Sequence, residues 1–232
     1  MIAAAYSAVV FDLDGTVADT AQDIHASLNT ALATRELPPV DLDSTRLMIG
    51  GGPQLLVERA LHRLGVNTDA PLVSSLVTAF HDDYLANGDR HARLYDGAES
   101  TLRQLHAMGM RIGLCSNKPD DLCRMLTRSL NIDRYIDETL GSTPGMPKKP
   151  DPAPLLAIIE RLGVLPEDTL YVGDSDADVK AARAAGIPVL LVSYGYTLRH
   201  AGQLGADGVI DSLAELVRPG PLARTAAPKP LR

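Results

Sequence analysis

Cysteine is scarce in this chain of 232 residues, which contains two, Cys115 and Cys123, and tryptophan is absent. The two cysteines have neither CxxC spacing nor nearby histidines suited to zinc, which argues against a zinc site and against a disulfide framework. Cys115 lies within an apolar run, so we expect it to pack as a small hydrophobic residue.

Long apolar runs are also missing, which argues against a membrane-spanning segment. Residues 1–6 lack the basic region of a signal peptide and lead directly into the first apolar run, so we expect a cytoplasmic protein. Positive charge is in deficit, with 22 Lys and Arg against 29 Asp and Glu and a net charge of -7. The lack of a basic cluster argues against nucleic acid as a partner, and we expect any recognised phosphate to belong to a small metabolite.

The remaining composition is typical of a globular protein, with 45% hydrophobic residues, 22% charged residues and a mean hydropathy of +0.01. This length favours about one to two domains. We find no internal repeats, and residues 219–232, which contain four prolines, are expected to be disordered. Composition leaves open whether the protein is a monomer or a homodimer.

Two carboxylates, two positions apart, follow the first apolar run. Residues 7–11 are rich in valine and predict a buried strand, and Asp12 and Asp14 come where that strand ends. Because residues two apart in an extended chain point to the same side, both acids are expected to face one cleft. Gly15 allows a tight exit and Thr16 adds a hydroxyl. Such paired charges favour a hard divalent cation such as Mg²⁺, and the alternative is an ordinary Asp-Gly turn after a strand.

The following seventy or so residues show helical periodicity. Apolar residues at spacings of three and four predict three helices, the first beginning at Asp19 or Thr20, the second running from Pro53 to Gly65 and the third from Pro71 to Leu85. This insert is too long for one crossover helix, so we expect a helical cap domain at residues 18–89. Gly50 to Gly52 precede the second helix and form either a flexible loop or a backbone that approaches an anionic ligand.

Strands and helices alternate after the insert. We predict strands at residues 111–115, 136–140, 169–172, 188–192 and 207–210, separated by helices. This alternation predicts a doubly wound, parallel α/β core formed by residues 1–17 and 90–218.

Polar residues follow two of these strands and also precede one helix. Ser116 and Asn117 end one strand, Asp174 ends another, and Asp178 lies one helical turn further on. Ligands bind beyond the carboxyl ends of strands in doubly wound sheets, a position that these residues share with Asp12. Lys149 precedes the helix that follows Pro152. Taken singly, Ser116 and Asn117 would serve equally well as a helix cap, and Lys149 and Lys148 would equally well be a pair of solvated side chains.

The ordered set of motifs resembles the four signatures of the haloacid dehalogenase superfamily over nearly the whole chain, up to about residue 218. Within it, the insert resembles the type I cap, and residues 50–52, 181–186 and 193–197 are most similar to the bacterial phosphoglycolate phosphatases. The four motifs are Asp12-Leu13-Asp14-Gly15-Thr16, Ser116-Asn117, Lys149-Pro150-Asp151-Pro152 and Gly173-Asp174-Ser175-Asp176-Ala177-Asp178.

The resemblance implies a Mg²⁺-dependent phosphomonoester hydrolase in which Asp12 is the nucleophile and Asp14 the general acid and base. It implies a metal held by the Asp12 side chain, the Asp14 backbone carbonyl and Asp174, with Asp178 and Ser175 behind these ligands. The residues expected to contact the substrate are Thr16, Ser116, Asn117, Lys149 and the amides of Gly51 and Gly52.

The substrate that the resemblance favours is 2-phosphoglycolate. Arg46, Arg59 and the amides of Gly51 and Gly52 are the candidates to bind its carboxylate. The alternatives are a phosphatase for another small sugar phosphate and a mutase of the β-phosphoglucomutase type, which shares all four motifs. A dehalogenase needs neither a metal nor a second acid, so the presence of Asp14, Asp174 and Asp178 argues against that activity. A regulatory module that had lost catalysis would be expected to lack at least one of the motif residues.

Overall fold

The computed structural model describes residues 1–197 and 200–218, whose centre is a six-stranded sheet. The sheet has the order β5-β4-β1-β6-β7-β8, and all of its neighbouring strands are parallel. The predicted α/β fold with a parallel sheet is therefore confirmed. The strands of the described residues are β1 (Ala8–Phe11), β2 (Ala18–Asp19), β3 (Arg93–Leu94), β4 (Arg111–Pro119), β5 (Glu138–Ser142), β6 (Thr169–Gly173), β7 (Val189–Val192) and β8 (Gly208–Ile210).

Strand β1 lies at the middle of the sheet because its side chains are apolar on both faces. All four of its residues are buried, and Ala8 pairs with Arg111 on one side and Thr169 on the other. A parallel strand with both faces covered is expected to be continuously apolar, as this one is. Cys115 on β4 is also fully buried and packs with the apolar residues of one face, as expected.

The helices cover the sheet and form the long insert after β1. They are α1 (Ala21–Ala33), α2 (Leu42–Met48), α3 (Pro53–Arg63), α4 (Ala70–Asn87), α5 (Ala98–Ala107), α6 (Asp120–Ser129), α7 (Ala153–Leu162) and α8 (Asp176–Ala184). We call residues 21–87, which contain α1 to α4, the helical insert. No helix among the described residues is long and apolar enough to cross a membrane.

The insert contains four helices instead of the three predicted. The unpredicted helix, α2, has seven residues, and its central positions are polar, so it shows little apolar periodicity. It begins at Asp41, whose carboxylate accepts a hydrogen bond from the Ser44 amide at 2.7 Å and caps the helix. The division into a cap at residues 18–89 and a core stays a prediction.

A short antiparallel ribbon brackets the insert. In it Ala18 of β2 pairs with Leu94 of β3, and Asp19 pairs with Arg93. Strands of two residues carry no usable periodicity, so the sequence did not indicate them. The ribbon joins the two chain segments that lead into and out of the insert.

Two further expectations concern the later part of the chain. Strand β5 occupies Glu138–Ser142, whereas the sequence predicts it at residues 136–140. It begins later because a short 3₁₀ turn at Asp133–Tyr135 precedes it and because the strand itself is largely polar. The predicted disorder of residues 219–232 lies outside the described residues.

The strand order creates a crevice beside β1. The chain moves from β1 to β4 and β5 on one side, then crosses to β6, β7 and β8 on the other. Ligands of doubly wound sheets bind at such a switch point, beyond the carboxyl ends of the strands.

Candidate active site

The carboxyl ends of β1, β4 and β6 bring the predicted site residues together. Asp12 directly follows β1, Ser116 and Asn117 lie near the end of β4, and Asp174 directly follows β6. These four side chains are all buried, with exposed fractions of 6%, 6%, 5% and 4%. Polar groups at such burial need specific partners, so the contacts among them define the site.

Lys149 lies between two carboxylates. Its Nζ is 3.0 Å from Asp12 Oδ1 and 2.7 Å from Asp178 Oδ1. The same ammonium donates hydrogen bonds to the Tyr171 hydroxyl at 2.7 Å and to the Cys115 carbonyl at 3.0 Å. Asp12 Oδ1 contacts Lys149 as an ion pair but accepts no well-aligned hydrogen bond from the described residues, so it is the less constrained of the two acids.

Burial and charge act differently on these three groups. Burial raises the pKa of Asp12 to about 6, with the charges of Asp178 and Asp14 adding to the rise and Lys149 opposing it. Burial also opposes ionisation of Asp178, but the charge of Lys149 and the hydrogen bonds to that carboxylate outweigh it and lower its pKa. The pKa of Lys149 is raised because the two acids outweigh the effect of burial. Asp178 is thus the permanent partner of Lys149.

Asp178 is fully occupied by its neighbours. Its Oδ1 also accepts a hydrogen bond from Tyr171, while Oδ2 accepts bonds from the Ser175 hydroxyl at 2.6 Å, the Ser175 amide at 3.0 Å and the Asp174 amide at 3.2 Å. Ser175 and Asp178 form a reciprocal capping box at the start of α8. This arrangement fixes the loop that carries Asp174 and orients Lys149.

Three carboxylates could hold a metal ion. Asp12, Asp174 and Asp178 each offer an oxygen atom, and these atoms lie within 4.8 Å of one another. Burial raises the pKa of Asp174 well above its usual value, and the charges of Asp178 and Asp12 raise it further. A hard cation would relieve this repulsion, and since Asp178 is already occupied, Asp12 and Asp174 are the better ligands. The donor set therefore fits a divalent ion that prefers oxygen.

Asp174 is also enclosed by two close glycines. Gly15 has a φ of +85°, and a Cβ there would lie 2.6 Å from Asp174 Oδ2, while a side chain at Gly195 would collide with the same carboxylate. The amide of Tyr196 donates a hydrogen bond to Asp174 Oδ2 at 2.8 Å. Glycine at both positions lets the backbone approach the carboxylate closely.

Asp14 has partners that sequence reasoning missed. Its Oδ1 accepts a hydrogen bond from the Thr20 hydroxyl at 2.6 Å, and Lys118 Nζ lies 3.1 Å from Oδ1 and 3.2 Å from Oδ2. Lys118 is 6% exposed and its ammonium lies 4.2 Å from the centre of the Tyr84 ring on α4. Burial opposes the charge on Lys118, but Asp14 and Tyr84 outweigh it and raise its pKa. The signal in the sequence that could have pointed to Lys118 is its position directly after the Ser116-Asn117 motif.

The side chain of Asn117 is held by hydrogen bonds to backbone groups. Its Nδ2 donates hydrogen bonds to the Lys149 carbonyl at 2.8 Å and the Gly50 carbonyl at 3.0 Å, and its Oδ1 accepts one from the Lys149 amide at 2.8 Å. The side chain predicted to contact the substrate therefore ties Lys149 to the helical insert. Thr16, also predicted to contact the substrate, is fully buried, and its hydroxyl has no hydrogen-bond partner among the described residues.

The glycines before α3 approach the sheet closely. Gly52 has a φ of +82°, and a Cβ there would lie 2.8 Å from the Asn117 carbonyl oxygen and 3.1 Å from Lys148 Nζ. Gly50 has a φ of +112°. Both values favour glycine, and they let the start of α3 lie directly over the end of β4.

Two adjoining cavities lie between the insert and the sheet. The inner cavity, of about 40 Å³, is lined by Asp12, Asp14, Ile24, Ile49, Gly50, Gly52, Pro53, Leu56, Phe80, Ser116, Asn117, Lys118 and Pro119. The outer cavity, of about 420 Å³, is lined by Asp14, Leu47, Ile49, Gly50, Gly51, Leu55, Arg59, Lys149, Pro150, Asp174, Ser175, Asp176, Ala177, Tyr196, Thr197 and Leu204. Asp14 lies on both, while Arg46 lines a separate cavity.

Tyr196 connects the site to the start of the insert. Its hydroxyl donates a hydrogen bond to Asp19 Oδ1 at 2.7 Å and accepts bonds from the Thr20 amide at 2.8 Å and the Ala21 amide at 3.1 Å. Because its own amide bonds Asp174, one residue links the candidate metal site to the beginning of α1. The sequence singles out residues 193–197, which include Tyr196, but indicates none of these contacts.

The parallel α/β sheet places an acid directly after its central strand, a second acid two residues on and a lysine beside the first, which suits an enzyme with a carboxylate nucleophile. A family model of haloacid dehalogenase-like hydrolases matches residues 9–192. The chain belongs to that family.

Relatives in the family share most of the chain. It is 38% identical over 213 residues to a phosphoglycolate phosphatase of Rhodospirillum rubrum, covering 90% of this chain and 88% of the relative. A phosphoglycolate phosphatase of Caulobacter vibrioides is 34% identical, with 96% and 94% covered. Among solved structures, a predicted phosphoglycolate phosphatase from Haemophilus somnus 129PT superposes with a TM-score of 0.83 at 29% identity, covering 91% of this chain and 96% of the other.

Proposed function

We propose that this protein hydrolyses a small phosphomonoester through a phosphoryl group transferred to Asp12, and that its substrate is 2-phosphoglycolate. The observation that carries the proposal is the ion pair between Asp12 and Lys149, 3.0 Å apart and buried at the end of the central strand, with Asp14 two residues away. A carboxylate held next to a permanent cation, at the point where a ligand enters, is suited to nucleophilic attack on phosphorus.

Asp12 is the nucleophile in this proposal. With a pKa of about 6 it is mostly ionised at neutral pH, and one oxygen is free of aligned hydrogen bonds that would weaken its attack. Lys149 reduces the repulsion between this carboxylate and an approaching phosphate dianion. Ser116 lines the inner cavity beside Asp12 and would donate a hydrogen bond to a phosphoryl oxygen, as would the backbone amides near Gly51 and Gly52.

Asp14 is the general acid and base. It lines both cavities beside Asp12, so its carboxylate can serve the leaving oxygen first and then the hydrolytic water, which approaches phosphorus from the side that the leaving group vacates. Thr20 and Lys118 hold its carboxylate in one orientation. The acid first protonates the departing alkoxide, and its conjugate base then takes a proton from the water that cleaves the acyl phosphate.

Asp12 and Asp174, with the Asp14 carbonyl, would hold the Mg²⁺ ion. When bound, the ion supplies positive charge that offsets the developing charge on the phosphoryl oxygens. Asp178 keeps its bonds to Lys149 and Ser175 and so orients the residues that do the binding.

The proposed substrate has two supports. The relatives at 34–39% identity are named phosphoglycolate phosphatase, and the inner cavity next to Asp12 is small. A cavity of about 10–15 Å³ holds one water, so about 40 Å³ beside Asp12 has room for a leaving group of a few heavy atoms. A cytoplasmic location and a monomeric or dimeric state stay predictions.

The test is phosphate release from 2-phosphoglycolate, pentose and hexose phosphates and β-glucose 1-phosphate, each with Mg²⁺ and with a chelator. We expect 2-phosphoglycolate to have the highest kcat/KM by orders of magnitude and the chelator to stop release. A sugar phosphate in first place would contradict the substrate while leaving the chemistry, and conversion of β-glucose 1-phosphate to the 6-phosphate without phosphate release would establish a mutase.

A further inference from the structure

Lys118 is a buried cation that the proposed hydrolysis uses only to hold Asp14. It lines the inner cavity, and among the described residues that line this cavity it alone carries a positive charge. Arg59 and Lys149 line the outer cavity instead. A lysine removed from water beside a substrate cavity is costly unless anions neutralise it, and Asp14 supplies one.

The ammonium of Lys118 has donor capacity to spare. Asp14 accepts from it at 3.1 and 3.2 Å, and the Tyr84 ring, whose centre lies 4.2 Å from the ammonium, stabilises its charge. An ammonium has three N–H donors, and the two oxygens of Asp14 take two of them, so the third is shared between Tyr84 and a ligand in the cavity.

The position of the phosphoryl group determines what Lys118 faces. Asp12 lines the inner cavity, so the phosphorus that it attacks lies at the end formed by Asp12 and Ser116. The wall contributed by the insert is apolar, formed mainly by Ile24, Ile49, Pro53, Leu56 and Phe80. A carboxylate on the leaving group would meet one partner of opposite charge within this small space, and that partner is Lys118.

We infer that Lys118 is the specificity-determining residue of the enzyme, binding the carboxylate of a short, two-carbon phosphomonoester in the inner cavity. This inference rests on the proposed function and adds to it a residue that reads the end of the substrate remote from phosphorus. It favours Lys118 over Arg59 and Arg46, which lie on other cavities.

The test compares two substrates that differ in the carboxylate, 2-phosphoglycolate and ethyl phosphate, in wild type, Lys118→Gln, Lys118→Arg and Arg59→Gln. Lys118→Gln also removes the ion pair that orients Asp14. We expect this loss to lower kcat/KM for both substrates by a similar factor, so that it cancels in the ratio of the two kcat/KM values. We expect the wild type to prefer 2-phosphoglycolate, Lys118→Gln to reduce that preference about ten- to a hundredfold, and Lys118→Arg to restore part of it. Arg59→Gln should keep the preference.

The outcomes separate the two proposals. A wild type that prefers 2-phosphoglycolate, with a ratio unchanged in Lys118→Gln, overturns the role of Lys118 and leaves the proposed function intact. A wild type without this preference overturns both. Loss of the preference in Arg59→Gln alone would assign the carboxylate to the outer cavity and also overturn the inference.

A second experiment avoids leaving Asp14 as an unpaired buried charge, which could unfold Lys118→Gln. Asp14→Asn serves as the reference, and Asp14→Asn with Lys118→Met removes the cation from a site that no longer contains its partner. We expect the added substitution to weaken binding of 2-phosphoglycolate about tenfold or more in calorimetric titration, with little effect on ethyl phosphate. Equal weakening for both ligands contradicts the inference.

Discussion

Asp12 and Asp178 both contact Lys149, yet burial and charge leave them with pKa values on opposite sides of the usual one. Asp178 has its oxygens saturated by donors, whereas Asp12 keeps one oxygen without an aligned hydrogen bond. A nucleophile must be both ionised and available, and a structural partner needs only to be ionised. The same lysine thus stabilises one acid and prepares the other for reaction.

Asp12→Asn should abolish turnover and, without divalent ions, should stabilise the fold. Ionisation of Asp12 is harder in the folded state, where its pKa is about 6, than in the unfolded state, where it is 3.8. The folded protein therefore binds more protons between these values, and wild-type stability falls relative to Asp12→Asn as pH rises through that window. At pH 7 we expect the variant to be more stable by about 2–3 kcal/mol.

Denaturant unfolding of both proteins in chelator, at pH 4 and at pH 7, measures this difference. The account predicts similar stabilities at pH 4 and a gap at pH 7. A gap that widens toward acid would show that the carboxylate of Asp12 is favoured by folding, contrary to the burial that we describe. Substantial turnover by Asp12→Asn would remove it as the nucleophile.

The residues that could be placed from sequence are those tied to strand ends. Asp12, Ser116 and Asp174 follow from apolar runs and their termini, because parallel strands finish at one edge. Lys118 and Tyr196 could not be assigned contacts in this way. Their partners come from α4 and from the start of α1, whose placement depends on tertiary packing that periodicity does not contain.

At the scale of elements, the start of α3 is fixed to the end of β4 by a close backbone approach. Gly52 contacts the Asn117 carbonyl region, and the Asn117 side chain donates to the Gly50 carbonyl. Periodicity predicted α3 and its entry at Pro53 but missed α2, whose polar residues form a helix through the cap at Asp41. The close approach of Gly52 to Asn117 could not be predicted from the sequence, because it depends on how α3 packs against β4.

Gly52→Ala should impair both folding and catalysis. A Cβ would lie 2.8 Å from the Asn117 carbonyl oxygen, so α3 must move away from β4 and widen the inner cavity. Gly65→Ala is a matched control, because Gly65 has a φ of +69° and open space around its missing Cβ. Gly65→Ala carries the conformational cost of positive φ, about 1 kcal/mol, and Gly52→Ala a larger one, about 1–3 kcal/mol, because φ +82° with ψ 175° is a backbone conformation that essentially only glycine adopts. The loss of kcat/KM should be confined to Gly52→Ala.

Thermal unfolding and steady-state kinetics of the two variants measure the contrast. Equal kcat/KM in both would show that the close approach has no part in catalysis.

At the scale of the whole molecule, the helical insert and the sheet are joined at several points around the site. His81 on α4 lies 2.8 Å from Asp121 on α6, and Tyr84 covers Lys118. Tyr196 reaches from the Asp174 loop to the start of α1. A metal ion or substrate bound at the site would therefore affect contacts made by both the helical insert and the sheet.

Mg²⁺ should raise the Tm of the wild type. An ion that binds only the folded state adds about 2.7 kcal/mol at one hundred times its Kd, which corresponds to roughly 5–10 °C for a protein of this size. Asp174→Asn should lose most of this increase because it removes a ligand and the repulsion that the ion relieves. Asp133→Asn, an exposed control on the 3₁₀ turn before β5, should keep it. Equal increases in all three proteins would show that the ion binds elsewhere.

The transfer of a phosphoryl group to Asp12 is the central claim, and it is tested most directly by chemical trapping. Wild type turning over 2-phosphoglycolate with Mg²⁺ is quenched within milliseconds, reduced with borohydride and digested for mass spectrometry. Reduction converts an aspartyl phosphate to homoserine, so the account predicts homoserine at position 12 and an unmodified Asp14. Homoserine at another acid, or full turnover with none at position 12 even in the slower Asp14→Asn variant, would contradict it.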